Sequence, residues 1–149
     1  MPLRRLVLNP AFLRELEGLV DIYMPDFKYG TDEAGERLSG VKGYHRWCTA
    51  SLLEMRRQVG DLRLDIGGTA ISGLLVRHLV LPGNAAHSYP VVDFLASRIS
   101  TETCLNVMDQ YRPCYEAHRD PVLRRRVLRT EVDAVVEYAR RMGMKRILV

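Results

Sequence analysis

Three cysteines are few for 149 residues, and Cys48, Cys104 and Cys114 follow no pattern. There is no CxxC pair, no CxxxCxxC triplet and no metal-type spacing to histidine, so no zinc or cluster motif can be read from them. An odd set of thiols also makes a poor disulfide framework, least of all in a reducing compartment. Cys48 and Cys104 read as packed thiols; Cys114, beside Pro113 in a loop-like stretch, is left open. Long apolar runs are missing as well. No stretch approaches the roughly 20 residues that a membrane helix needs. The opening "MPLRRLVLNPAF" carries two arginines but an apolar run of only three, which does not make a secretion signal. The expectation is a cytoplasmic protein with no membrane partner.

Several catalytic signatures are absent too. "GNAAHS" lacks the Gly-Lys-Ser/Thr ending of a phosphate-binding loop. "HRD" at residues 118–120 has Arg125 where a kinase catalytic loop has asparagine, and no glycine-rich loop precedes it. No Ser-His-Asp order is visible, and His45, His87 and His118 fall in polar loops or helix starts, as surface histidines do. The charge excess is mild: 22 basic against 18 acidic side chains, net +4. Much of it lies in "RRRVLR", residues 124–129. Such a cluster can bind phosphates but reads first as a solvated helix face or turn. No aromatic residues interleave with those arginines to stack bases, which argues against nucleic acid.

What is present suits one globular domain over residues 1–149, with 47% apolar and 27% charged residues. Asn9-Pro10 opens a helix that Gly18 should stop, with Phe12, Leu13 and Leu16 as its stripe. An apolar strand follows over residues 20–28. "GTDEAGERLSG" is a polar turn with room for one or two helical turns. Tyr44, Cys48, Leu52, Met55 and Val59 recur at helical spacing, and Gly60 ends that helix. "DLRLDIGGTAISG" alternates on both sides of Gly67-Gly68, as a small hairpin does. It runs into "LLVRHLVLPG", which looks apolar on both faces. Ser88 should cap a helix carrying Val91, Val92, Leu95, Ala96 and Ile99, and "TCLNVMDQY" is a further strand. Thr130 with Asp133 resembles a capping box for a helix over residues 130–142, and "KRILV" is a last strand. Strands alternating with helices predict an α/β fold with a parallel sheet.

Side chains alternate along a strand, so Ile22, Met24, Asp26 and Lys28 share one face, apolar first and charged last. In parallel α/β folds ligands bind at the C-terminal strand ends. The charged pair is therefore either a ligand contact or a plain ion pair. Arg77 shares a face with Leu75, Leu79 and Leu81 and must meet an acid or an anionic ligand there. His78 points the other way, toward covering helices. Asn106, Met108 and Gln110 share a face on the next strand. Asp26, Lys28, Arg77, Asn106 and Gln110 could thus converge on one cavity.

"DIYMPDFKYG", "RLSG", "RQVGDL", "GLLVRHLVLPG" and "NVMDQYRPCYEAH" together resemble radical S-adenosylmethionine proteins, in the branch similar to pyruvate formate-lyase activating enzyme. The match runs over residues 20–118, with several motifs in the right order. The resemblance implies a partial (β/α) TIM-like barrel with S-adenosylmethionine (SAM) across the strand C-termini. It implies that Asp26 and Lys28, in the Asp-x-Lys motif, contact the methionine portion of the cofactor. Arg77 matches the arginine of the Val-Arg strand that reaches the cofactor. Gln110, with Tyr111 next, takes the place near the adenine. Members carry a 4Fe–4S cluster on a CxxxCxxC loop and a Gly-Gly-Glu-like motif, and neither is in this sequence. The chain therefore resembles the C-terminal half of the barrel, without the thiolates that deliver the electron for reductive cleavage. No catalytic residue and no metal ligand is assigned. Relatives of that kind act as oxidoreductases or lyases, for example on a glycyl-radical-type protein substrate. The expected partner is an N-terminal half-barrel or a second copy; the alternative is a non-catalytic half-barrel that completes a barrel with another chain.

Overall fold

A computed structural model describes residues 9–149. Residues 1–8, which hold the arginines and apolar run of the leader expectation, lie outside the described residues. Helix α1 (Pro10–Glu15) starts as its sequence dictates, the Asn9 side chain accepting from the Ala11 N–H at 2.9 Å. It stops short of Gly18, and of its expected stripe Phe12 is half exposed while Leu13 is buried. Strand β1 is only Ile22–Tyr23, not residues 20–28. The chain stays beside its neighbour through the Phe27 N–H to Arg77 carbonyl bond and the Arg77 N–H to Pro25 carbonyl bond. Pro25, which has no N–H to give, interrupts the regular ladder between them.

Helix α2 (Asp32–Ser39) is capped by Thr31, and α3 (Tyr44–Val59) ends at Gly60. β2 (Arg63–Leu64) and the start of β3 (Ala70–Leu79) form the expected hairpin, its turn held by the Asp65 carboxylate accepting from Gly67 and Thr69 N–H. The hairpin arm and "LLVRHL" are one ten-residue strand. Gly73, at φ 112°, lets it pass a crossing backbone: a Cβ there would sit 2.3 Å from the Asp61 carbonyl oxygen. Helix α4 (Ser88–Phe94) runs into a π-helical stretch, Leu95–Ile99. Ser88 does not cap it; the preceding residue, His87, is left-handed, and the Ser88 hydroxyl is used elsewhere. β4 (Cys104–Met108) ends before Gln110. Helix α5 (Arg129–Arg141) is opened not by Thr130 and Asp133 but by Glu131, whose carboxylate accepts from the Leu128 N–H at 2.8 Å. It also accepts from Arg125 and from the Gly83 N–H, and the Arg125 guanidinium, helped by the Leu128 and Gly83 N–H groups, holds its pKa down to about 2. β5 (Ile147–Leu148) completes the sheet.

The strands lie in chain order, β1-β3-β4-β5, all parallel, with β2 antiparallel beside β3. The result is a mixed α/β fold with a largely parallel five-stranded sheet. Every crossover sends its helix to the same face. Tyr23, Phe27, Leu74, Val76, Leu105 and Val107 of the sheet join Leu52 and Met55 of α3, Val91 and Val92 of α4, and Val132, Val135 and Val136 of α5 in one core. Each such side chain, fully buried, contributes about 1.5–3 kcal/mol. The alternate residues Ile22, Met24, Leu75, Arg77, Leu79, Asn106 and Met108 stay partly or well exposed. β3 is therefore covered on one face, not two. Ile22 and Met24, at 38% and 54% exposure, sit on the uncovered face and not in a core.

Candidate functional site

The site grows from the residues just after β1. Phe27 points down, fully buried, and meets Phe94 edge-on at 5.9 Å. Its carbonyl accepts from His78 Nδ1 at 2.6 Å, and His78 Nε2 accepts from the Ser88 hydroxyl at 2.8 Å. The Phe27 carbonyl can only accept, so Nδ1 carries a proton, and burial lowers the His78 pKa, which favours the neutral ring. His78 thus lies under the helices, as alternation along β3 predicts.

Because Phe27 is anchored below, Asp26 and Lys28 must emerge above the sheet. Asp26 bridges to Arg77 through the backbone, and its Oδ1 accepts from Arg77 Nε at 2.8 Å, with Nη2 at 2.7 Å. Lys28 Nζ stands 3.9 Å from the other oxygen, Oδ2, too far for a hydrogen bond. Arg77 is directly opposite Asn106 in the β3–β4 register. Asp26 in the loop after β1, Arg77 of β3 and Asn106 of β4 therefore form a row on the open face. Side-chain exposures of 31% for Asp26 and 36% for Arg77 leave this pair well hydrated. A pair so placed contributes only about 0–1 kcal/mol to stability. It is a weak structural element and an accessible polar one.

The backbone of this loop is clamped from the side. The Tyr44 hydroxyl accepts from the Lys28 N–H at 2.8 Å and donates to the Asp26 carbonyl at 3.3 Å. Tyr44 gets close because Gly35 of α2 has no Cβ; one there would lie 2.4 Å from the Tyr44 Cβ. Burial raises the Tyr44 pKa strongly, so the phenol stays protonated as a donor. Sequence periodicity identifies Tyr44 as a buried helix residue and gives no sign of this clamp.

Two cavities flank Lys28. One, of about 360 Å³, is lined by Pro25, Asp26, Lys28, Tyr44, Cys48 and Met55 among others. The other, of about 230 Å³, lies between Lys28, Leu79, Leu81 and Tyr111. Burial pushes the Cys48 thiol up to about 12, which makes it a packed thiol and not a nucleophile. Cys104 is buried and Cys114 exposed. Of the five polar residues expected at one cavity, Asp26 and Lys28 line one together, whereas Arg77 and Asn106 are not among the residues lining it. Asp26, Lys28 and Arg77 come together with Asn106 in line. Gln110 lies past the end of β4 and borders a different cavity with Asp109, Arg112, Arg126 and Arg129. Its amide reaches the Met108 sulfur at 3.5 Å.

The donor set can be tested against the two groups the resemblance implies. An amino acid zwitterion needs an acceptor for its ammonium and donors for its carboxylate; Asp26 Oδ2, Lys28 and Arg77 fit that demand. A 4Fe–4S cluster needs three grouped thiolates. Cys48 on α3, Cys104 on β4 and Cys114 in a loop do not supply them, and no His/Cys/Asp/Glu group among the described residues could hold a metal ion.

Among known proteins, an uncharacterized protein of Methanocaldococcus jannaschii is 32% identical over 130 residues, covering 87% of this chain and 34% of that protein. The chain thus spans about a third of the length of the curated relative it matches. No family model matches the chain, and no solved structure matches it.

Proposed function

We propose that this chain is the C-terminal part of a radical SAM barrel of the activating-enzyme type, and that it binds the amino acid end of SAM. The observation that carries the reading is the Asp26–Arg77–Lys28 group at the C-terminal strand ends, on the face the helices leave open. Strands in chain order with every crossover helix on one face are what a segment of a (β/α) barrel presents, and this supports the architectural half of the proposal.

In this reading Asp26 Oδ2 accepts from the cofactor's ammonium, while Lys28 and Arg77 hold its carboxylate. Tyr44 fixes the loop backbone so that these groups need little reordering on binding. The cofactor itself would supply radical chemistry once reduced. This chain's thiols do not fit the cluster that performs the reduction, so its own contribution is binding and orientation.

The test is calorimetric titration of SAM into wild type, Asp26→Asn, Lys28→Ala and Lys42→Ala. Saturable binding is expected, weakened about ten- to a hundredfold by each of the first two substitutions, since a hydrogen bond to a charged group is worth about 1.5–3 kcal/mol. Lys42, exposed and paired with Glu36, should not matter. No binding, or equal loss in Lys42→Ala, removes the proposal.

A second reading is favoured by one observation of its own. Among the described residues β1 and β5 each pair on one edge only, and the uncovered face carries Ile22 and Met24. Open edges and an apolar patch suit a non-catalytic half-barrel completed by another polypeptide.

A further inference from the structure

The segment 124–129 holds more than a solvated turn. Around it, most arginines are matched to acids: Arg125 with Glu131, Arg119 with Glu116, Arg37 with Asp120 and Arg129 with Asp133. Two are not. Among the described residues the guanidinium groups of Arg112 and Arg126 make no ion pair, yet both line one concavity of about 420 Å³ together with Arg129. Gln110, Asp109, Tyr111, Val127 and Val132 complete its wall. Arg112 arrives from the loop after β4, and Arg126 and Arg129 from the segment that opens α5. Like charges brought to one concavity from two chain segments repel one another, and their pairing with an acid would remove that cost. Asp133 accepts from the Nε of Arg129 at 2.9 Å, and no hydrogen bond among the described residues uses its terminal nitrogens. Asp109 is the one carboxylate on the wall and leaves the charge there positive.

We propose that this groove binds the phosphoryl group of a small phosphorylated molecule through Arg112, Arg126 and the terminal nitrogens of Arg129. A planar carboxylate is satisfied by one guanidinium fork, whereas a phosphoryl group offers three strong acceptors in a tetrahedral array and nearly two negative charges. Guanidinium groups arriving from two directions match the second geometry. A concavity of 420 Å³ lies in the range of small-molecule sites, so the group's organic carrier has room beside Gln110 and Tyr111. The inference does not depend on SAM binding at Asp26 and Lys28, which line other cavities.

Titration of inorganic phosphate into the full chain at fixed ionic strength, followed by calorimetry, tests it, with acetate as the second arm. Holding ionic strength constant keeps general screening from imitating a site. The expected result is saturable phosphate binding, much weaker acetate binding, and about tenfold weaker phosphate binding in Arg112→Ala and Arg126→Ala. Arg124→Ala is the control: it removes the same charge from the same segment but lines no part of this cavity. All three residues are exposed, so the variants should keep the wild-type circular dichroism spectrum. Absence of saturable phosphate binding overturns the proposal. So does an equal loss in Arg124→Ala, which would mean diffuse charge, or acetate binding as tightly as phosphate, which would mean a carboxylate fork.

Discussion

Asp26, Phe27 and Lys28 are consecutive residues with opposite surroundings, and His78 explains how. Its ring ties the Phe27 carbonyl to Ser88 beneath the sheet, so the two charged neighbours must stand above it. The free imidazole titrates near 6.5, and burial lowers that value in the fold. Between the two values the unfolded chain binds the proton and the folded chain does not. Stability should therefore fall as pH drops below about 6.5 and level off once the folded-state value is passed. Urea unfolding at a series of pH values checks this, with His78→Leu for comparison. The variant should lose about 1–3 kcal/mol near neutrality, from an unpaired Phe27 carbonyl and Ser88 hydroxyl, and should lack the slope below 6.5. An unchanged slope in His78→Leu would assign the pH effect elsewhere.

Among the elements, α3 joins α1 to the sheet through charge as well as packing. Glu54 accepts from Arg57 and Gln58, and Gln58 also donates to the Leu13 carbonyl of α1. Arg57, then Gln58, hold the Glu54 carboxyl at about 2, below its ordinary 4.5. A lowered acid pKa gives stability that is fully present above 4.5 and is lost as pH falls toward 2. Glu54→Gln should thus be less stable than wild type at neutral pH and lose less on acidification through that window, as measured by urea midpoints. Equal acid sensitivity in the two proteins would show that other carboxylates set it. The elements also mark what sequence reasoning can reach. Period-two alternation in "LLVRHL" separates Leu75, Arg77 and Leu79 from Leu74, Val76 and His78, and that division stands. The extent of β1 is not legible, because the ladder fails at a proline inside an apolar run that reads as strand. Nor is it legible that Ile22 and Met24 face outward: hydrophobicity says that a face is apolar, not that a helix covers it. Gln110 misses the cluster because alternation carries a prediction only as far as the strand, and β4 ends at Met108.

For the molecule as a whole, the decisive asymmetry is a sheet with helices on one face and a polar row on the other. A surface holding Ile22, Met24 and the outer edges of β1 and β5 is costly to leave in water. If a second copy of the chain covers it, light scattering coupled to size exclusion should find the isolated chain as a dimer or larger at moderate concentration. Asp substitution at Met24 should shift it toward monomer. A wild-type monomer at all concentrations would count against completion by a second copy. The same face carries the claim about function. A titration of SAM followed by amide chemical shifts of the isotope-labelled chain tests it most directly, since weak binding is still mapped residue by residue. Saturable shifts centred on Asp26, Lys28, Arg77 and Asn106 are expected, lost in Lys28→Ala. Shifts that do not saturate, or that centre on the hairpin tip at Ile66 instead, would contradict it.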